Sequence, residues 1–163
     1  MTTFEDPRYE MISETKLVGK CARMSIAKDT THGLWQEFMP NHNHIPNRAG
    51  SDFFSVEVYD GLEYFMDFDP ARPFDKWAAV AVSKADSMPE GMDLLVLPAG
   101  RYAVFHYRGR PSEVHRAYQY IYGTWIGGSG YAIDNRPHFA VMGMGYKGEH
   151  PDSEEEIWIP VKP

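Results

Sequence analysis

The sequence predicts an α+β fold in which two pseudo-symmetric β-α-β-β modules form one curved antiparallel sheet, with helices on one side and a central groove. Strand-like and helix-like segments follow the same order twice, before and after about residue 86. Both helical segments carry an apolar stripe, which is typical of a helix lying on a sheet. No linker interrupts the 163 residues, so we expect one domain, 1–163, with module one at about 1–86 and module two at about 87–163.

Module one begins with a long predicted strand from Tyr9 to Ser25 that bends at Gly19. A helix follows, capped by Thr30 or Thr31 and ended by Pro40. Its apolar residues recur at helical spacing: Leu34, Trp35, Phe38 and Met39. Two further segments with the character of strands, Phe53–Tyr59 and Trp77–Ser83, complete the module.

Module two repeats this order. Strands are predicted at Asp93–Leu97 and Arg101–Arg108, and a helix begins at Pro111 and ends at a glycine-rich turn. The apolar stripe of that helix is Val114, Ala117, Tyr118, Ile121, Tyr122 and Trp125. The strands His138–Met144 and Glu156–Val161 close the chain.

Composition excludes several classes of protein. A net charge of −7 disfavours nucleic-acid binding, and the single cysteine, Cys21, excludes a disulfide framework and a cysteine-rich zinc site. No apolar run approaches the ~18 residues of a membrane span, and the N-terminus lacks the features of a signal peptide. We therefore expect a cytoplasmic protein.

The closing strand carries the most functional information. Alternation places Ile157, Ile159 and Val161 on one face, and Glu156 with Trp158 on the other. A carboxylate beside an indole ring suits a lipophilic cation, and an apolar setting can also raise its pKa until it donates protons. The alternative is an edge strand with one solvated face.

Two weaker motifs point to no cofactor or metal. The glycine pattern of Gly143–Gly148 lacks the following helix of a dinucleotide site, so a turn is the better interpretation. His42 and His44 lie in an asparagine-rich stretch after Pro40 without an evident third ligand, which favours a surface loop.

Four segments together resemble the GyrI-like family, which shares its fold with the effector-binding domains of multidrug-sensing transcription activators. They are Glu156–Val161 (EIWIPV); Leu34–Pro40 with Ile45–Arg48; Pro98–Phe105 with Gly109; and Tyr118–Trp125 with Ser129–Tyr131. The resemblance covers nearly the whole chain. It implies two β-α-β-β modules around a groove lined by aromatic rings and containing a buried glutamate.

The resemblance maps that glutamate to Glu156 and its aromatic neighbour to Trp158. Other rings predicted to line the groove are Trp125, Tyr118, Tyr102, Phe38 and Tyr59. Relatives often carry a second acid in a Phe-Glu-x-Tyr pattern on the preceding strand, where this chain has Phe139-Ala140-Val141-Met142. Glu156 is therefore expected to act alone.

Three functions follow from the resemblance. The first is binding of hydrophobic, aromatic or cationic small molecules by a standalone member, a monomer or weak dimer that touches neither nucleic acid nor membrane. The second is a cofactor-free hydrolase that opens strained cyclopropane rings, with Glu156 as general acid or base. The third is a protein-interaction module that modulates gyrase or a partner regulator.

Overall fold

The computed structural model describes residues 5–163 and has an α+β architecture dominated by one antiparallel sheet. Its nine described strands are β1 (Arg8–Ile12), β2 (Thr15–Met24), β3 (Phe53–Val58), β4 (Phe74–Val82), β5 (Asp93–Leu97), β6 (Gly100–Arg108), β7 (Ala132–Ile133), β8 (His138–Met142) and β9 (Glu154–Lys162). The α-helices are α1 (Thr31–Phe38), α2 (Glu63–Met66), α3 (His115–Tyr120) and α4 (Ile126–Gly128).

The strand order is β1-β6-β9-β8-β3-β4-β2-β5, with the short β7 pairing separately with β9. The two edge strands pair with strands from the other part of the chain. The first strand, β1, pairs with β6, and β5, which begins the second part, pairs with β2. The predicted single strand from Tyr9 to Ser25 is therefore wrong. It is two strands, separated at Ser13-Glu14, which join different edges of the sheet. The division into two modules stays a prediction.

Three buried clusters hold the sheet together. On the helix side, Leu34 and Phe38 of α1 pack over β2 and β4, while Ala117 and Ile121 of the α3 region pack over β6 and β9. The opposite face has its own core, which contains both Leu17 of β2 and Tyr102 of β6, two strands far apart in the order of the sheet. The sheet is therefore curved, and both of its faces are buried over much of their area.

The helical segment of module two is less regular than predicted. It begins with a 3₁₀ turn at Pro111–Glu113 and continues as α3, a π-helical turn at Ile121–Trp125 and α4. Because a π turn holds an extra residue, it rotates the side chains that follow, and such turns often occur at functional sites. Within residues 5–163, no helix is long and apolar enough to span a bilayer.

Candidate ligand groove

The middle of the sheet lies between the two helical layers. Both helical layers cover the same face of the sheet, α1 over β2 and β4 and the α3 region over β6 and β9. Strands β3 and β8 are neighbours at the centre, between the two layers. On their helix-side surface, Ser55 lies opposite Ala140, and Glu57 lies opposite His138. We call this surface, flanked by Lys76 of β4 and Glu155 of β9, the central groove.

A buried ion pair lies on one flank of the groove. Glu57 and Lys76 are direct cross-strand partners on β3 and β4, and their side chains form a salt bridge. The two side chains are only 14% and 12% exposed. Removing one partner from such a pair would leave a buried charge uncompensated, which costs several kcal/mol.

A second carboxylate, Glu155, lies on the other flank. It precedes Ile157 by two residues on β9, and Ile157 packs in the helix-side core, so strand alternation directs both side chains to the helix side. Burial first, and then the negative charge of Glu57, raise the pKa of Glu155 to about 7, although Lys76 offsets part of the rise. Among the described residues, Glu155 forms no side-chain hydrogen bond.

Aromatic rings line the groove on the side of α3. Tyr118 and Tyr122 stack with their ring centres 6.2 Å apart, and Tyr122 hydroxyl and His138 Nδ1 share a hydrogen bond of 2.9 Å. Burial lowers the pKa of His138 to about 3, so this imidazole is neutral at physiological pH. Burial also raises the pKa of Tyr59, Tyr118 and Tyr122 well above 10. The groove thus combines neutral rings with two carboxylates and one ammonium group.

The short helix α2 covers this groove. Its Phe65 stacks on His138 at 5.1 Å and lies 5.0 Å from Tyr122, while Tyr59 contacts both Phe65 and His138. Of the two residues beside Phe65, Met66 is 83% exposed, whereas Tyr64 is buried in the core under α1. Phe65 therefore fills an aromatic position that is held in place by a single turn of helix.

The structure places Glu156 differently from the prediction. Its side chain is 31% exposed and forms a 2.7 Å salt bridge with Arg8 of β1. Trp158 donates a hydrogen bond from Nε1 to Glu156 at 3.2 Å and stacks on Phe139 at 5.2 Å, within the core opposite the helices. The expectation of a buried glutamate at position 156 is wrong, because strand alternation turns position 155, not 156, toward the helices.

The other predicted rings separate into two groups. Tyr118 and Tyr59 reach the central groove. Phe38, Tyr102 and Trp125 lie in three different cores: Phe38 and Tyr102 are 0% exposed, and Trp125 packs edge-on against Phe105 at 4.9 Å. These three rings form part of the hydrophobic packing of the protein.

Sequence reasoning missed Glu155, Glu57, Lys76, Tyr122, His138 and Phe65 as groove residues. The signal for Glu155 was present, because it alternates with Ile157 and Ile159, which were correctly assigned to a core face. The expectation that Glu156 acts alone stays a prediction. Glu57 lies on β3, next to the strand that carries Ala140, and adds another carboxylate to the groove.

A surface cavity of about 230 Å³ opens where β8 ends and β9 begins. It is lined by Asp52, His106, Val141, Gly143, Gly145, Glu154, Glu155 and Glu156. Glu155 and Glu156 therefore border the same cavity. No group of three His, Cys, Asp or Glu side chains within residues 5–163 is arranged to hold a metal ion.

The fold and groove define a ligand-binding class of domain, and comparison with known proteins specifies the family. The chain belongs to the GyrI-like small molecule binding domain family, which matches residues 5–162. The transcriptional regulator BrlR of Pseudomonas aeruginosa is 26% identical over 138 residues, covering 84% of this chain and 48% of the regulator. This chain thus spans about half the length of that relative.

Two solved structures share the fold at low sequence identity. SAV2435 bound to tetraphenylphosphonium is 16% identical with a TM-score of 0.74, covering 97% of this chain and 94% of that one. A hydrolase encoded by lin2189 from Listeria innocua is 10% identical with a TM-score of 0.59, covering 96% and 92%.

Proposed function

We propose that this protein binds hydrophobic aromatic cations in the central groove, with Glu155 supplying the negative charge. The observation that carries the proposal is a carboxylate without a hydrogen-bond partner among the described residues, placed beside stacked tyrosines. Such a carboxylate is costly when ionised and empty, and a matching cation removes that cost. Rings and charge attract the same ligand, since cation–π attraction adds to ion pairing.

Ligand entry requires Phe65 to leave the groove. Its ring packs against both His138 and Tyr122, and it is carried by the single-turn helix α2, which Tyr64 anchors in the core. An aromatic ligand can replace the stacking contacts that Phe65 gives up, so the exchange loses little contact area. The fold-sharing structure of SAV2435 holds tetraphenylphosphonium, a compound with this combination of rings and positive charge, which supports the class of ligand.

The decisive experiment distinguishes the contributions of Glu155 and Glu156 to cation binding. Tetraphenylphosphonium is titrated by calorimetry at pH 8 into the wild type, Glu155→Gln and the matched control Glu156→Gln. We expect Glu155→Gln to weaken binding tenfold or more, and Glu156→Gln to change it less than threefold, because Glu156 already pairs with Arg8.

The reverse pattern would move the charge of the site to Glu156 and the opposite sheet face. Absence of binding by the wild type would refute the proposal that the protein binds lipophilic cations.

Hydrolysis is the second candidate, and the pKa of Glu155 near 7 favours it, because a carboxyl group with such a pKa can donate a proton at neutral pH. Opening a cyclopropane conjugated to a carbonyl group would form a C–O bond from water and break a ring C–C bond. Glu155 would give a proton to the carbonyl oxygen that receives the electron pair, and the attacking water would lose one proton to solvent, from which Glu155 regains its own. The enol would then tautomerise to the ketone, so that the net change is the addition of one water. The solved lin2189 structure is described as a hydrolase and shares this fold.

Mass spectrometry tests this candidate through the gain of one water by a cyclopropane-bearing electrophile. Turnover should disappear in Glu155→Gln and persist in Glu156→Gln. Equal rates in all three proteins would mean that Glu155 takes no part in catalysis.

A further inference from the structure

Lys76 lies in the central groove but has no part in the proposed binding of cations. Its side chain is only 12% exposed, and its ammonium group already neutralises Glu57, its cross-strand partner. A lysine is an unexpected component of a site for cations, because it repels the ligand unless its own charge is matched. The Glu57–Lys76 pair therefore adds no net charge to the groove, although both charged groups are present.

Counting the charges that face the groove gives a single net negative charge. Glu57 and Lys76 cancel, His138 is neutral, and Glu155 contributes −1 when ionised. Arg136, whose charge acts on His138, is paired with Asp134 at 2.8 Å. One positive charge on the ligand therefore balances the site, and a second would be buried without a partner.

We propose that Lys76 sets the charge preference of the groove: by holding Glu57, it makes the site accept an aromatic cation with one positive charge and reject a dication. The inference rests on the proposed function, because it concerns the same groove. It goes beyond that function by assigning the selectivity to one residue. Without Lys76, Glu57 and Glu155 would form a two-carboxylate site suited to two positive charges.

Two probes of nearly the same shape test the charge alone. N-methyl-4-phenylpyridinium carries one positive charge and methyl viologen carries two, on the same two-ring frame. Calorimetric titrations at pH 8 use the wild type, Lys76→Gln and the control Lys84→Gln, which removes a lysine that is 59% exposed and paired with Asp86.

We expect the wild type and Lys84→Gln to favour the monocation at least tenfold. In Lys76→Gln, the ratio of the two dissociation constants should move toward the dication by tenfold or more. An unchanged ratio in Lys76→Gln would overturn the inference.

A second comparison keeps the test decisive if Lys76→Gln does not fold. Glu57→Gln leaves Lys76 free to neutralise Glu155, so the monocation should bind at least tenfold more weakly. Adding Lys76→Gln to this variant removes the competing ammonium group and should restore the affinity. No gain in the double variant would contradict the role of Lys76.

Different results would refute the proposed function and the role of Lys76. If the wild type binds neither probe nor tetraphenylphosphonium, the proposed function fails and this inference fails with it. If the monocation binds through Glu155 but the charge preference ignores Lys76, only this inference fails.

Discussion

Replacing Glu155 by glutamine should stabilise the protein at alkaline pH and leave its stability unchanged in acid. The pKa of this carboxyl group is about 7 in the folded protein and 4.5 in the absence of burial and neighbouring charges. The folded state therefore holds the proton more tightly than the unfolded chain. It follows that wild-type stability decreases as pH rises from about 4.5 to about 7, and the full penalty is present above pH 7. Glutamine resembles the protonated acid and never incurs this penalty.

The size of the effect follows from the shift. A difference of about 2.5 pH units, at 1.36 kcal/mol per unit, corresponds to about 3.4 kcal/mol. Glu155 is partly open to solvent at the surface cavity, and water there lessens the penalty. We therefore expect Glu155→Gln to gain about 2 kcal/mol at pH 8.5 and close to nothing at pH 4.

Urea unfolding followed by tryptophan fluorescence at both pH values measures this difference. Glu90→Gln is the matched control, because Glu90 is exposed and a surface substitution of this kind changes stability by no more than about 0.5 kcal/mol. A gain of equal size at both pH values, or no gain at pH 8.5, would refute the conclusion that Glu155 is a desolvated carboxylate. Together with the cation titrations, a positive result would mean that the groove sacrifices stability for ligand binding.

Three further outcomes can be measured. Cation affinity of the wild type should fall up to about 100-fold from pH 8 to pH 5, because Glu155 is protonated below about pH 7, and this dependence should vanish in Glu155→Gln. Tyr122→Phe should lower the free energy of unfolding by about 1–2 kcal/mol, since it leaves the buried Nδ1 of His138 without its partner; exposed Tyr9→Phe is the control, and equal effects would contradict this reason. Gly19→Ala should cost about 2–3 kcal/mol, because the added Cβ would meet Ala78 O at 2.0 Å, whereas Gly127→Ala faces open space and should be neutral or stabilising; similar losses in both would argue against the clash.

Much of the fold could be predicted from the sequence because strand and helix patterns are local. The strands at Phe53–Val58 and Asp93–Leu97 and the apolar face of α1 are confirmed. The separate strand β1 was missed, since nothing local reveals that the chain changes sheet edge at Ser13-Glu14. Helix α2 was missed because four residues give too short a window for a helical period.

The site was predicted less well, because it depends on which strands become neighbours. Glu57 and Lys76 come from the consecutive strands β3 and β4, whereas Glu155 comes from the last strand, β9. Only the pairing of β3 with β8, and of β8 with β9, brings Glu155 near the other two. Arg8 reaches Glu156 in the same way, through the pairing of β1 with β6 beside β9. No spacing of residues in the sequence predicts that these side chains lie close together.

The sequence by itself determined the family, the alternation of the closing strand and the presence of a carboxylate next to apolar residues there. The tertiary structure decided which carboxylate enters the groove and which is neutralised on the opposite face. The physical reason is that alternation fixes only that Glu155 and Glu156 point in opposite directions. Which direction faces the aromatic groove depends on where the helices pack, and that is a property of the whole sheet.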